Sequence, residues 1–150
     1  TIAMIDIDHF KRFNDTKGHQ AGDQLLRALT QVMRQNTRAE DRIARYGGEE
    51  FVVILPETAL GAGVTAAEKL RSAIEQHFSD GAGPGGQVTV SIGVATFPED
   101  GTSAEQLIAR ADERLYHAKA DGRNRVVPAM IDASSVADRG TIARHTTPGA

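Results

Sequence analysis

The stretch Arg45–Leu55, RYGGEEFVVIL, places two adjacent glycines and two glutamates directly before a run of apolar residues. A Gly-Gly dipeptide favours the tight turn of a β-hairpin, and a short apolar run ended by Pro56 predicts a buried strand. With a second short strand at residues 41–46, the stretch predicts a hairpin. Two carboxylates therefore stand at the start of a core strand, where charge is uncommon.

Hydrophobic periodicity predicts the elements around this hairpin. The predicted elements are a strand at Thr1–Ile7, a largely loop-like segment at His9–Asp23, helices at Gln24–Gln35, Ala62–Phe78 and Ser103–Ala120, a loop at Ser79–Gln87, a strand at Val88–Val94 and a short strand at Val126–Val127. Thr102 and Glu105 form a candidate capping box for the last helix, and Gly122 is placed to end it.

The first six elements follow the order βαββαβ, which predicts an α+β, ferredoxin-like domain with a mostly antiparallel sheet. We expect helices to pack on one face of that sheet. The first strand is central in this unit and lies beside the hairpin. Asp6 and Asp8, at the end of the first strand, are therefore expected near Glu49 and Glu50.

The chain has 150 residues, a formal net charge of −3 and no cysteine. This length fits one domain, which we predict at residues 1–128, with a disordered tail at residues 129–150 because that segment lacks periodicity. The absence of cysteine excludes disulfides and favours the cytoplasm. The charge argues against general nucleic-acid binding, and no apolar run is long enough for a membrane span.

A corner that holds Asp6, Asp8, Glu49 and Glu50 needs a cation or a protonated carboxyl group. Two like charges about 4 Å apart repel by roughly 4 kcal/mol at an effective dielectric constant near 20. Oxygen ligands without nearby histidine or cysteine predict Mg²⁺ or Mn²⁺.

Several neighbouring residues are suited to a phosphorylated ligand. Gly47 and Gly48 allow close approach to the backbone, whereas Asn14 and Asp23 carry groups that match a guanine edge. The candidate phosphate partners are Lys11, Arg12, Lys119 and Arg123.

Each of these features also has a purely structural interpretation. Gly47-Gly48 is a common turn dipeptide, and Asp6 and Asp8 are suited to capping the following segment. Cations at the end of a helix, such as Lys119, often interact only with the helix dipole and solvent. The five histidines show no ligand spacing and receive no role.

The sequence resembles the GGDEF-domain diguanylate cyclases in several segments. RYGGEEF at Arg45–Phe51 matches the family signature, in which Glu49 occupies a position that accepts Asp or Glu. The other similar segments, in family order, are DIDHFKRFNDTKGHQAGD at Asp6–Asp23, VTVSIGVA at Val88–Ala95 and RADERLYHAKADGRNRV at Arg110–Val126. A match in several parts is more specific than a single motif.

The resemblance implies a palm-type fold like that of nucleotidyl cyclases and polymerase palms, and condensation of two GTP molecules into cyclic di-GMP with release of two pyrophosphates. Each subunit would hold one GTP, so that catalysis needs a homodimer. Asp6, the Ile7 carbonyl and Glu49 would hold two metal ions, with Glu50 in support. The implied nucleotide partners are Asn14 and Asp23 for guanine, Lys11, Lys119 and Arg123 for the triphosphate, and Gly47 and Gly48 for close packing on the hairpin.

The resemblance also implies a second, inhibitory site. Arg38 and Asp41 match an R-x-x-D pattern that binds cyclic di-GMP, and Lys69 lies where some members place a further cationic contact. The alternative hypothesis is a receptor that binds cyclic di-GMP without making it.

The family's leading segment, which contains a D-x-L-T-G-L-x-N-R-R-like stretch, has no counterpart before Thr1. We therefore expect a domain that lacks its N-terminal helix but keeps its fold. An upstream sensory or receiver domain is an expected partner, and such a protein could be tethered to a membrane elsewhere.

Overall fold

The computed structural model describes residues 1–79 and 87–128. The strands and helices, in chain order, are β1 (Ile2–Ile7), α1 (Phe10–Lys17), α2 (His19–Gln35), β2 (Arg42–Arg45), β3 (Glu50–Ile54), α3 (Leu60–Ser79), β4 (Val90–Ala95), α4 (Ala104–Ala120) and β5 (Val126–Val127). The predicted loop at Ser79–Gln87 falls mostly, and the predicted tail at residues 129–150 entirely, outside the described residues.

The sheet has the strand order β2-β3-β1-β4-β5, with β1 at its centre. The pairs β1–β3, β1–β4 and β2–β3 are antiparallel, and only β4–β5 is parallel. This is the predicted ferredoxin-like arrangement, extended by α4 and β5. The register places Asp6 opposite Glu50 on one side and opposite Ser91 on the other.

Helices cover both faces of the sheet, so the prediction of one covered face was wrong. Ile5 and Ile7 belong to a core formed with α2 and α3. Met4 faces the other way and packs with Ala111 and Leu115 of α4. Residues 3–7 are consequently all buried, because successive side chains of a strand point to opposite faces.

Helix α4 lies unusually close to the sheet at Gly93. A Cβ atom at Gly93 would overlap the Ala111 carbonyl oxygen and the Leu115 amide nitrogen. Glycine is required here for close approach of two backbones rather than for a special φ angle. This contact fixes the height of α4 above β4, the strand that pairs with β1.

The segment His9–Asp23, predicted as mostly loop, is mostly helical. Helix α1 buries Phe10 and stacks it on Phe13, and α2 already begins at His19. Gly18, with φ of 86°, separates the two helices. The polar residues that suggested a loop form the exposed faces of these helices.

The start of α4 also differs from the predicted capping box. Ser103, not Thr102, is the N-cap residue, and its hydroxyl accepts a hydrogen bond from the Gln106 amide. Gln106 Oε1 in turn accepts a hydrogen bond from the Thr102 amide at 2.8 Å. The capping pair thus lies one residue later than expected, and its return hydrogen bond comes from the residue before the N-cap instead of from the N-cap itself.

Candidate active site

Strand pairing brings the end of β1 beside the glutamates of the hairpin. Asp6 pairs with Glu50 in the sheet register. The Ile7 amide donates a hydrogen bond to the Glu49 carbonyl at 3.3 Å. The backbone thus places the predicted metal ligands Asp6, Ile7 and Glu49 on adjoining strand ends.

The Asp6 carboxylate is buried and forms an ion pair with Lys119. Lys119 Nζ lies 2.9 Å from Asp6 Oδ2, and the Asp6 side chain is only 6% exposed. Burial raises the pKa of Asp6 to about 6; Lys119 opposes this rise, and Glu49 and Glu50 add to it. The ammonium group of Lys119 thus places a positive charge at the acidic corner, where it offsets the repulsion between the carboxylates.

The donor groups at this corner fit a hard divalent cation. Mg²⁺ is commonly held by one or two carboxylates that share it with substrate phosphates, and carboxylate oxygens with a backbone carbonyl are suitable ligands. Within residues 1–79 and 87–128, no three His, Asp or Glu side chains converge as a metal-binding group. The fit therefore depends on Asp6, Glu49 and the Ile7 carbonyl, with the pKa of Asp6 raised mainly by burial and to a smaller extent by Glu49 and Glu50.

Asp8 does not join the acidic corner, contrary to the prediction. Its carboxylate accepts hydrogen bonds from Ser91 Oγ at 2.7 Å, Thr89 Oγ1 at 2.7 Å and the Asn124 amide at 3.1 Å. Neither does it cap α1, whose N-cap residue is His9. Asp8 therefore ties the end of β1 to β4 and to the turn before β5.

A cleft of about 420 Å³ beside the hairpin brings together most of the predicted nucleotide partners. Its lining includes Lys11, Asn14, Asp23, Gly48 and Glu49, with Leu26 as an apolar surface. These residues come from α1, α2 and the hairpin turn. These residues are distant in the sequence, and the packing of α1 against α2 brings them together.

The side-chain oxygen of Asn14 faces Gly22 and is unpaired among the described residues. This atom, Oδ1, is buried. A Cβ atom at Gly22 would overlap that oxygen, so the glycine makes room for the amide. A buried acceptor without a partner is costly. Because Asn14 also lines the cleft, rotation of its side chain away from Gly22 would let this oxygen meet a ligand donor.

The two signature glycines have different surroundings. A Cβ atom at Gly47 would lie 2.7 Å from Glu50 Oε2, whereas one at Gly48 would meet nothing within 4 Å. Gly47 thus accommodates the Glu50 carboxylate, and only Gly48 presents an open backbone. Arg45 braces the turn through hydrogen bonds from Nε and Nη2 to the Gly48 carbonyl at 3.2 and 2.6 Å.

The remaining predicted phosphate partners occupy the end of α4 and the turn after it. Lys119 is held at Asp6, and Arg123 is exposed just beyond Gly122. Arg123 has φ of 64°, a left-handed conformation that is rare for a residue with a side chain. The structure thus places Lys119, but not Arg123, in direct contact with the acidic corner.

The predicted inhibitory residues occupy a turn and a neighbouring helix. Asp41 Oδ2 accepts a hydrogen bond from the Arg38 amide at 2.8 Å, so the two ends of the R-x-x-D pattern are joined. Asp41 Oδ1 is buried and, in the part of the chain described, unpaired. Arg38 is exposed, as is Lys69 on α3.

Sequence reasoning missed three residues that shape this site: Gly22, Arg45 in its bracing role, and Asn124. Gly22 interrupts an otherwise good helical pattern, and such a glycine signals close packing. Asn124 lies two residues after Gly122, and asparagine tolerates the left-handed backbone of turns. Neither signal identifies the contact that the residue makes.

A ferredoxin-like domain with an acidic strand end, a glycine turn and a polar cleft has the groups that nucleotide binding requires. Comparison with known proteins identifies the family to which the domain belongs. Residues 1–125 match the family described as diguanylate cyclase, GGDEF domain. The chain therefore belongs to the GGDEF-domain family.

Individual relatives agree with this assignment. The chain is 45% identical over 126 residues to diguanylate cyclase A of Treponema denticola and 48% identical over 126 residues to the response regulator PleD of Caulobacter vibrioides. These alignments cover 84% and 83% of this chain, but only 34% and 28% of the relatives. The chain thus spans about a third or less of the length of these curated relatives.

A solved structure supports the same fold. The GGDEF domain of DgcB from Caulobacter crescentus, in complex with c-di-GMP, superposes with a TM-score of 0.74 at 39% identity. The match covers 84% of this chain and 75% of that chain. The mixed sheet with helices on both faces is therefore the fold of this family.

Among residues 1–79 and 87–128, no helix is long and apolar enough to cross a membrane.

Proposed function

We propose that this domain is a diguanylate cyclase that condenses two GTP molecules into cyclic di-GMP and two pyrophosphates. The observation that carries the proposal is the cleft shared by Lys11, Asn14, Asp23, Gly48 and Glu49. It combines a base-recognition pair, a phosphate cation, an open backbone and a carboxylate in one place. Relatives named as diguanylate cyclases support the same activity.

In this proposal, Asn14 and Asp23 recognise the guanine. The unpaired Asn14 Oδ1 accepts a hydrogen bond from the base, and the exposed Asp23 carboxylate accepts another. A site that leaves buried polar groups unpaired discriminates strongly against ligands that lack the matching donors. Guanine offers donors at N1 and N2, whereas adenine offers one amino donor beside the acceptor N1, so adenine would leave one of these acceptors unsatisfied.

Lys11, Lys119 and Arg123 hold the triphosphate. Arginine binds phosphate oxygens through two parallel hydrogen bonds, and lysine acts as a point charge. In the free protein, Lys119 is committed to Asp6. The triphosphate therefore competes with Asp6 for this cation.

Two Mg²⁺ or Mn²⁺ ions would be held by Asp6, the Ile7 carbonyl and Glu49, with Glu50 supporting the site. Such ions, when bound, lower the pKa of the attacking hydroxyl group and neutralise phosphate charge. The chain's own residues position the α-phosphate for in-line attack by the ribose 3′-oxygen of the second GTP. One O–P bond forms, the bond to pyrophosphate breaks, and the hydroxyl proton leaves to solvent. The same step with the roles of the two nucleotides exchanged closes the ring and releases the second pyrophosphate.

The reaction needs two nucleotides, and each domain offers one such cleft. We therefore propose a homodimer in which two clefts face each other, brought together by a sensory or receiver domain of a longer protein in the cytoplasm. Products would bind at Arg38, Asp41 and Lys69 and inhibit further synthesis. The unpaired Asp41 Oδ1 is the observation that supports this second site.

Chromatographic detection of cyclic di-GMP after incubation with GTP and Mg²⁺ tests the main proposal. The chain is assayed alone and as a dimer enforced by a fused parallel coiled coil. We expect product from the dimer, and almost none from Glu49→Gln. Glu99→Gln, a matched change at an exposed carboxylate remote from the cleft, should retain activity. A folded dimer that makes no cyclic di-GMP would contradict the proposal.

The second candidate function is a receptor that binds cyclic di-GMP without making it. It is favoured by the R-x-x-D turn, which is already held in shape by the Asp41–Arg38 hydrogen bond. Calorimetry with cyclic di-GMP distinguishes the two functions when combined with the synthesis assay. Binding that depends on Arg38 in a dimer without synthetic activity would favour the receptor.

A further inference from the structure

The turn after α4 has an uncommon backbone. Gly122, Arg123 and Asn124 have φ angles of 114°, 64° and 45°, which puts three consecutive residues in the left-handed region. This region is unfavourable for residues with a Cβ atom, so such conformations persist only where surrounding contacts enforce them. The contacts of Asn124 are the strongest candidates for that enforcement.

Asn124 is held at its side-chain amide and at its backbone. Its Oδ1 accepts a hydrogen bond from Arg71 Nη1, and its Nδ2 donates to Glu75 Oε1, both at 2.7 Å. Its backbone N–H donates to Asp8 Oδ2 at 3.1 Å. Simultaneous use of the amide donor and acceptor fixes the orientation of the side chain, which neither Asp nor Leu could reproduce.

The groups that hold Asn124 are themselves held. Arg71 forms ion pairs at 2.8 Å with Glu68 and Glu75 on the same helix, α3. Asp8 accepts hydrogen bonds from Thr89 and Ser91, the latter fully buried. The turn is thus anchored both to a helix on one face of the sheet and to the strands. Such fully satisfied networks hold a single geometry.

Arg123 shares a peptide bond with Asn124 but makes few contacts that would orient it. Its amide donates to the Ala118 carbonyl at 2.9 Å, and its carbonyl accepts from Arg125 Nε at 3.1 Å. Its side chain is exposed. The direction in which this side chain leaves the backbone is therefore set by the left-handed turn.

We propose that Asn124 is a positioning residue, fastened to α3 and Asp8, that holds the turn in which Arg123 faces the triphosphate of GTP. This inference rests on the proposed function, because it assumes that Arg123 binds phosphate. An arginine whose backbone is already in the binding conformation loses less conformational entropy when it binds. Asn124 itself does not touch the nucleotide.

A double-mutant cycle tests the proposal through binding rather than turnover. Calorimetry with a non-hydrolysable GTP analogue and Mg²⁺ is carried out on the wild type, Arg123→Ala, Asn124→Ala and the double variant. Loss of a charged hydrogen-bonding partner should weaken binding about 10-fold to 100-fold for Arg123→Ala. Asn124→Ala should weaken it by at least about 5-fold in the wild type and by less than about 2-fold in the Arg123→Ala background.

Each alternative result contradicts the proposal in a distinct way. Additive losses would mean that Asn124 acts on the whole domain and not through Arg123. Unchanged affinity in Arg123→Ala would show that Arg123 does not bind the triphosphate. The cyclase function is tested separately, by detection of cyclic di-GMP. Unchanged affinity in Asn124→Ala alone would show that the turn does not need its tethers.

Three further variants keep the test decisive if Asn124→Ala unfolds. Glu75→Leu and Arg71→Met remove the α3 partners of the amide while leaving Asn124 in place. Asn124→Gly permits the left-handed backbone but lacks the tethered side chain. All three are expected to weaken analogue binding only when Arg123 is present; equal losses with and without Arg123 would overturn the proposal.

Discussion

Lys119 Nζ lies 2.9 Å from Asp6 Oδ2, so the last helix closes an ion pair onto the end of the first strand. The pair joins residues 113 positions apart in the sequence. It neutralises one of the carboxylates that the sheet register brings to the hairpin. Even so, the pKa of Asp6 stays raised, to about 6, because burial outweighs the attraction of Lys119.

Asp6→Asn should therefore stabilise the metal-free protein above pH 6. A carboxyl group whose folded pKa is raised favours the folded state fully below its unfolded pKa of about 4, and this contribution is lost as pH rises through about 6. The gain from Asp6→Asn should thus be present at pH 7–8 and absent near pH 4. Melting temperatures in EDTA from pH 4 to pH 8 measure it.

Asp112→Asn, on the exposed surface of α4, is the matched control and should not alter the pH profile. If Asp6→Asn and wild type change in parallel between pH 4 and pH 6, the carboxyl group of Asp6 does not titrate in that range.

Gly22→Ala should impair GTP binding with little loss of fold. The added methyl group would displace the Asn14 amide, whose oxygen we propose to bind guanine. Loss of such a hydrogen bond costs about 1–3 kcal/mol, which corresponds to roughly 5-fold to 150-fold weaker binding. Competition binding with GTP and ATP should also show reduced preference for guanine.

Gly61→Ala is the control because it makes the same substitution in another helix where a Cβ atom meets nothing within 4 Å. It should stabilise the protein by up to about 1 kcal/mol through helix propensity. Equal GTP affinities in both variants would show that Asn14 does not depend on the space at Gly22.

Gly93→Ala should be strongly destabilising. The new methyl group would overlap backbone atoms of Ala111 and Leu115, which cannot move as a flexible side chain can. Overpacking of a rigid core costs about 1–3 kcal/mol or more, and we expect the upper part of that range. Urea unfolding at pH 7 measures the change in free energy, and a loss below about 0.5 kcal/mol would show that α4 moves away at little cost.

Asp41→Asn should weaken cyclic di-GMP binding without unfolding the domain. Asparagine can still accept the hydrogen bond from the Arg38 amide, but it lacks the charge that would attract guanine N–H groups. Calorimetry should show at least about 10-fold lower affinity, the usual effect of removing one charged hydrogen bond. Asp121→Asn, which is exposed at the end of α4, should bind as wild type. Unchanged binding in Asp41→Asn would place the inhibitory site elsewhere.

The sequence predicted the sheet well because β1 and the hairpin are coded by local apolar runs and a glycine turn. It failed for α1 because an eight-residue helix buries little more than Phe10 and is otherwise polar. The second covered face was missed because β1 is apolar at every position except Asp6, a pattern that does not reveal what packs on each side.

At the site, the residue types were predictable but their partners were not. Asp6 and Asp8 differ by two positions and share a chemical class, yet one pairs with Lys119 and the other binds Ser91, Thr89 and Asn124. These contacts depend on distant segments that only the tertiary structure brings together. The roles of Gly22 and Asn124 were hidden for the same reason.

The placement of helices on opposite faces of the sheet divides the proposed site into two modules. Asn14 and Asp23 belong to α1 and α2, whereas Lys119 belongs to α4, which is seated on the other face through Gly93. Base preference could then be redesigned on the α1–α2 side, with Lys11 of α1 kept for the triphosphate, while α4 stays unchanged. To obtain a cyclase for another purine, a protein engineer would randomise the base-binding positions of α1 and α2 and leave α4 unchanged.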